Sequence, residues 1–98
     1  MIFEEFLKSL TEKNPPAGLD ASLQALWFAG KNDWNKAHEI AQDIRSTEGS
    51  WIHAHLHRKE GDLANASYWY NRARKEVSTA TLEEEWRQIV RQLIEKQK

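Results

Sequence analysis

Three histidines lie close together in the middle of the chain, at positions 53, 55 and 57, and histidine is a common metal ligand. On a strand, the three imidazoles would share one face, as in some zinc sites. On a helix, His53 and His57 lie one turn apart and His55 points away from them. We favour the helix, with imidazoles that hydrogen-bond other groups inside the fold, and we predict no metal ligand and no cofactor.

A metal site on His53 and His57 stays open as an alternative, because two histidines at this spacing chelate zinc in zincins. No glutamate follows His53 to act as a base, no third ligand is evident, and His38 is the one other histidine. A metal-dependent enzyme built on these residues is therefore the least favoured of three classes of function, and we predict that the protein is not an enzyme.

A second cluster, in residues 68–75, mixes aromatic rings with positive charge. Such mixtures stack on and neutralise single-stranded nucleic acid, so an RNA- or ssDNA-binding helical protein is the second candidate. On a helix, however, Tyr70 faces inward with Ala66 and Ala73, and the net charge of −1 gives no general attraction to nucleic acid. We therefore prefer an ordinary charged outer face for this cluster. A nucleic-acid site would use Tyr68, Trp69, Arg72, Arg74 and Lys75.

The composition excludes several classes of protein. The chain has 98 residues, enough for one small domain. It has no cysteine, which excludes a disulfide scaffold, a thiolate metal site and a thiol nucleophile, and which fits a reducing compartment. The longest apolar run, residues 25–29, is far short of the ~20 residues that span a bilayer, and residues 1–6 lack the features of a signal peptide. We expect one cytoplasmic domain with no membrane partner.

The elements that must position these residues are all helical, because apolar residues recur with the period of a helix throughout. The fold class is therefore all-α, with about six helices. Asp20, Ser50 and Thr81 are predicted N-caps, and Glu84 completes a capping box with Thr81. The apolar residues of the last helix form a stripe along one face, and this face must pack against other apolar surface. The predicted helices span about residues 2–13, 20–28, 34–45, 50–60, 63–76 and 81–94.

Two segments of the sequence repeat each other. Residues 32–37 and 61–66 each read as a turn residue, Asp, an apolar residue, two polar or small residues and Ala. Such self-similarity indicates a helical hairpin that occurs twice. Asn32 and Gly61 suit a positive φ at the turns, and Asp33 and Asp62 are predicted to cap the helices that follow. Ala37 and Ala66 should then lie where two helices approach closely.

These residues resemble the tetratricopeptide-repeat family. The second unit has a small residue at the helix contact, a Gly-Asp turn, and then Ala, an aromatic residue and Ala at the family's spacing. The first unit matches less completely, the unit is 29 residues rather than 34, and the usual closing Pro is absent. The resemblance implies a stack of hairpins at residues 19–46 and 50–76, capped by helices in residues 1–14 and 81–97. The matching residues are Ala25, Phe28, Asn32, Asp33 and Ala37, and Ala54, Gly61, Asp62, Ala66, Tyr70 and Ala73.

The resemblance also implies a function, because the first helix of each such hairpin lines a concave groove. Counting back from the turn at Gly61 places Trp51, His55, Arg58 and Lys59 on the groove. We therefore expect a non-enzymatic protein–protein interaction module that binds a peptide, a partner protein or a second copy of itself. Basic groove residues would suit an acidic segment or the C-terminus of a partner. In the alternative, the protein's own first or last helix fills the groove.

Overall fold

The computed structural model describes residues 1–97 of the protein. These residues form six α-helices and no strand. The predicted all-α class is confirmed, and Lys98, the last residue of the predicted domain, lies outside the described residues. Within residues 1–97, no helix has the length and apolar character needed to cross a membrane. The helices are α1 (Phe3–Ser9), α2 (Ala21–Gly30), α3 (Trp34–Ala41), α4 (Thr47–Lys59), α5 (Leu63–Arg72) and α6 (Leu82–Lys96).

Side-chain caps start four of these helices where local sequence predicts. Asp20 accepts a hydrogen bond from the Leu23 amide at 2.9 Å at the start of α2. Asp33 and Asp62 do the same for α3 and α5 at 3.2 Å. Thr81 begins α6 with the predicted capping box. A cap satisfies a backbone N–H that the helix itself leaves unpaired.

The start of α4 differs from the prediction, because α4 begins at Thr47 and Ser50 is not its N-cap. The N-cap is Ser46, whose Oγ accepts a hydrogen bond from the Gly49 amide at 3.1 Å. The low helix propensity of glycine predicts a break between helices at Gly49, but Gly49 lies in the first turn of α4. A Cβ at Gly49 would lie 2.5 Å from the carbonyl oxygen of Ile44. Glycine is therefore needed there for close packing.

The helices between residues 21 and 72 form two hairpins, in which α2 packs on α3 and α4 packs on α5. The turns have the predicted backbone, with φ of 63° at Asn32 and 88° at Gly61. Ala37 and Ala66 are buried, as predicted. Helix α3 contacts α4, which joins the two hairpins. This packing brings residues of α3 next to the histidines of α4.

The C-terminal helix α6 packs against α2 and α4, and α1 packs against α6. The buried side of α6 carries the predicted apolar stripe, including Trp86, Ile89 and Val90. Phe6 of α1 is fully buried and lies against Trp86, with a ring-centroid distance of 5.9 Å. The first helices of both hairpins thus face α6 rather than open solvent.

Candidate functional site

Three of the four predicted groove residues meet at one buried carboxylate, that of Glu85 in α6. Trp51 donates from Nε1 to Oε2 of Glu85 at 3.1 Å. His55 donates from Nδ1 to Oε1 at 2.8 Å, and Arg58 donates from Nη1 to the same oxygen at 3.0 Å. Arg58 also donates to the carbonyl oxygen of Ala80, just before α6. These contacts fix α6 on α4.

Tyr70 of α5 completes this Glu85 network, the name we use for Glu85 with Trp51, His55, Arg58 and Tyr70. The Tyr70 hydroxyl donates to Oε2 at 2.5 Å, so each carboxylate oxygen accepts two hydrogen bonds. Burial alone would raise the pKa of Glu85, but the hydrogen bonds outweigh it and lower the pKa to about 2. Burial and the Glu85 charge both raise the pKa of Tyr70. Glu85 is therefore an ionised carboxylate enclosed by donors.

The sequence pattern does not distinguish Glu85 as a functional residue, because it lies among three consecutive acids at the start of α6. Acids are common at a helix N-terminus, where the helix dipole favours them. A usable signal exists in the spacing, since Glu85 lies four residues before Ile89 and so shares the apolar face of α6. A carboxylate on an apolar face needs buried donors.

The Glu85 network changes the expected binding face. Trp51 is 7% exposed and His55 is 2% exposed, which matches the alternative in which the protein's own last helix fills the groove. The expectation of one open face formed by Trp51, His55, Arg58 and Lys59 is therefore corrected, because α6 covers its centre. A role for these residues in partner binding stays a prediction.

Lys59, the fourth predicted residue, lies in a cleft that α6 leaves open. This α1–α6 cleft has a volume of about 450 Å³ and lies between the end of α1, the end of α2, α4 and the start of α6. Gly30 shapes its wall, since a Cβ there would lie 2.9 Å from Trp86 and 3.0 Å from Leu10. The side chains that line the cleft include Leu7, Leu10, Asn32, Lys59, Glu83, Trp86 and Arg87.

Two cations lie in the cleft. Lys59 donates from Nζ to the carbonyl oxygen of Ala29 and to Oδ1 of Asn32, both at 3.1 Å. Burial lowers the pKa of Lys59. Arg87 lies 3.7 Å from the exposed carboxylate of Glu83. An ammonium has three donors, so within the described residues one N–H of Lys59 has no protein acceptor.

A second cluster lies on the other side of α4, where three histidines converge. His38 of α3 places its Nε2 2.9 Å from Nε2 of His53. One ring nitrogen from each of His38, His53 and His57 lies within 4.8 Å of the others. The segment is helical as predicted, with His53 and His57 stacked on each other. The fold supplies the third imidazole that the sequence did not reveal.

Aromatic rings and one carboxylate fix this three-histidine cluster. Trp34 stacks on His38 with the ring planes 9° apart, and Trp69 stacks on His53 with a centroid distance of 3.9 Å. His57 donates from Nδ1 to Glu60 at 2.6 Å.

The surroundings of His38 and His53 favour the neutral form of both imidazoles. Burial, and then the nearby His57, lower the pKa of His38, and Glu60 opposes them. Burial, with the neighbouring His38 and His57, lowers the pKa of His53 to about 4. A neutral imidazole has one nitrogen lone pair free to accept a hydrogen bond, as the contact between His38 and His53 requires.

Four of the five residues of the nucleic-acid alternative contact each other or the rest of the fold. Trp69 stacks on His53, and the Arg72 guanidinium lies over Trp69, 5.4 Å from the ring centroid. The Lys75 ammonium lies over Trp51 at 4.0 Å. Tyr68 is half exposed. The arrangement offers Tyr68 for stacking, whereas Trp69 is already engaged.

Comparison of the sequence and fold with protein-family models, curated proteins and solved structures gives no match. The function of the protein is therefore inferred from its own residues.

Proposed function

We propose that the protein is a non-enzymatic interaction module of the cytoplasm that binds a carboxylate-bearing peptide segment in the α1–α6 cleft. The carboxylate belongs to an acidic residue of the peptide or to its free C-terminus. The observation that carries this proposal is Lys59, a partly buried lysine in an apolar cleft with one donor left for a ligand. A tetratricopeptide-like array with α6 over its inner face is part of the same proposal.

The size and lining of the cleft support peptide binding. Its volume of about 450 Å³ lies in the range of sites that enclose small ligands. Leu7, Leu10 and Trp86 supply apolar contact for a side chain of the ligand. Removing that surface from water contributes roughly 25 cal/mol per Å² before the cost of association.

The charges support a carboxylate as the polar group of the ligand. Lys59 is partly desolvated, so an anion beside it would meet weaker competition from water than at an exposed lysine. Arg87 can add a bidentate contact to the ligand carboxylate once its ion pair with the exposed Glu83, at 3.7 Å, is broken. The proposed site therefore keeps Lys59 of the four predicted residues and adds Arg87.

Fluorescence anisotropy with a matched set of short peptides tests this proposal. Each labelled peptide has two leucines followed by two aspartates or two asparagines, and a free or an amidated C-terminus. We expect the amidated asparagine peptide to bind at least ~10-fold more weakly than the best carboxylate peptide, a difference of about 1.4 kcal/mol. Comparison of the two peptides that carry only one kind of carboxylate shows which kind is preferred.

Variants of two lysines provide the control. Lys59→Gln should weaken binding of the preferred peptide about tenfold or more, because it removes the cleft ammonium. Lys36→Gln, on the exposed side of α3, should leave binding unchanged. Equal binding of all four peptides, no binding of any, or equal losses in the two variants would each overturn the proposal. Thermal unfolding of both variants checks that each remains folded.

A further inference from the structure

We propose that His38, His53 and His57 form a binding site for a zinc-class divalent metal ion, with a fourth coordination position left to water. This site is separate from the α1–α6 cleft, because His53 and His57 lie on the face of α4 opposite His55. The proposal stands on the convergence of three imidazoles from two helices, and it does not depend on peptide binding.

The distances fit coordination after small side-chain movements. Two nitrogens bound to a tetrahedral zinc at 2.0–2.1 Å lie about 3.3 Å apart. The nitrogens of His38 and His53 are 2.9 Å apart, so this pair must open by about 0.4 Å. The other separations, all within 4.8 Å, must close by at most about 1.5 Å. Rotations about the side-chain torsions reach such positions without moving a helix.

The chemistry of the donors favours zinc and its neighbours. Imidazole suits Zn²⁺, Cu²⁺ and Ni²⁺, whereas Ca²⁺ and Mg²⁺ prefer oxygen ligands. Three histidine ligands with water in the fourth position are a known arrangement for protein-bound zinc.

The surroundings of His57 support its role as a ligand. Metal-binding histidines commonly donate their second ring N–H to a carboxylate, which orients the ring and fixes the tautomer. Nδ1 of His57 donates to Glu60 at 2.6 Å. With Nδ1–H donated to Glu60, the ring nitrogen of His57 that can bind a metal ion is Nε2. Glu60 is therefore a positioning residue in the proposal.

A second group of potential ligands, His57 with Glu60 and Asp62, is less suitable. Both carboxylates are exposed, and each already has a role. Asp62 is the N-cap of α5 and accepts from the Asn65 amide, and Glu60 accepts from His57. The three-histidine group has two buried members and the partly buried His38, which leaves one side for an ion to enter.

Metal binding would join the two hairpins, because His38 belongs to α3 and the other two ligands belong to α4. An ion that binds only the folded protein stabilises it. We therefore expect Zn²⁺ to raise the melting temperature of the full-length protein.

Isothermal titration of the chelator-treated, full-length protein with Zn²⁺ at neutral pH tests the site. We expect one ion per molecule, and visible absorption bands of tetrahedral Co²⁺ when Co²⁺ replaces zinc. His38→Gln should lower the Zn²⁺ affinity at least ~10-fold, because it removes one ligand from a partly exposed position. His55→Asn is the matched control, since His55 is a histidine of the same helix outside the cluster, and it should retain the affinity.

Three results would overturn the proposal. They are no binding of Zn²⁺ or Co²⁺ by the wild type, equal affinity of the wild type and His38→Gln, and loss of affinity in folded His55→Asn alone. If a variant fails to fold, the wild type still decides. Trp34 and Trp69 stack on the cluster. In a two-dimensional NMR spectrum of the wild type, their indole N–H signals should therefore shift when Zn²⁺ is added. Unchanged signals would contradict the site.

Discussion

At the scale of single residues, Glu85 has the largest structural role. Its side chain is 0% exposed and accepts hydrogen bonds from residues of α4 and α5. A buried charge is tolerated only where partners replace the water that it has lost. The network therefore makes the position of α6 depend on one carboxylate.

We predict that Glu85→Gln lowers the free energy of unfolding by about 3–5 kcal/mol, because it leaves Arg58 partly buried without its anion. Urea unfolding followed by circular dichroism measures this loss. Glu83→Gln on the same helix is the control, since Glu83 is exposed and should change stability by less than about 0.5 kcal/mol. Equal effects of the two substitutions would show that the network is unimportant.

The stability should also depend on pH through Glu85. Its pKa of about 2 in the folded protein lies below the ordinary value of 4.5, so on acidification the unfolded state takes up a proton first. The contribution of Glu85 is therefore fully present above about pH 4.5 and is lost as the pH falls toward 2. The stability difference between wild type and Glu85→Gln should shrink across this window. A difference independent of pH would contradict the assignment.

Contacts between residues close in the sequence were predictable, whereas contacts between distant residues were not. Asp20, Asp33 and Thr81 were predictable as caps, because a cap and its amide lie three residues apart. The contacts of Glu85 join residues up to 34 positions apart, and the pairing of His38 with His53 depends on how α3 packs on α4. Local periodicity contains no information on such contacts.

At the scale of the elements, the two turns between hairpin helices share one backbone conformation. Asn32 and Gly61 have φ of 63° and 88° at equivalent positions of the repeat. This similarity was predictable, because few residue types tolerate positive φ. The start of α4 was not predictable, because Gly49 serves a packing contact with Ile44 rather than a turn.

We predict that Gly61→Val costs about 1–2 kcal/mol of stability, because a β-branched residue is strained at positive φ. Apart from its two chain neighbours, Gly61 has no atom within 4 Å of a built Cβ, so the loss comes from the local backbone conformation rather than from crowding by other parts of the fold. Gly61→Asn is the matched control and should cost clearly less, since Asn32 adopts the same conformation. The midpoint of urea unfolding measures both, and equal losses would contradict the argument from φ.

At the scale of the whole molecule, α6 covers α2 and α4, the first helices of the two hairpins. Its apolar stripe was predictable from sequence, but the surface that it covers was not. Trp86 donates from its indole to the carbonyl oxygen of Leu26 at 2.8 Å, and Ile89 and Val90 are fully buried. The same helix forms one wall of the α1–α6 cleft.

Truncation of the protein after Ala80 should therefore give unfolded or aggregated material. It removes Glu85 together with the apolar side chains that cover α2 and α4. Gel filtration and thermal unfolding provide the measurement. A monomeric truncated protein with a cooperative transition would show instead that α6 is a detachable segment.

We propose that the α1–α6 cleft, which α6 leaves open beside the hairpins, binds a carboxylate. The most direct test is a two-dimensional ¹H–¹⁵N NMR titration of the full-length protein with the preferred carboxylate peptide. We predict shifts of the Trp86 indole and of amides around Leu10, Asn32 and Lys59, which line the cleft, with the Trp34 and Trp69 indoles unchanged. Shifts confined to residues 68–75, or no shift of the cleft residues at saturating peptide, would contradict the claim.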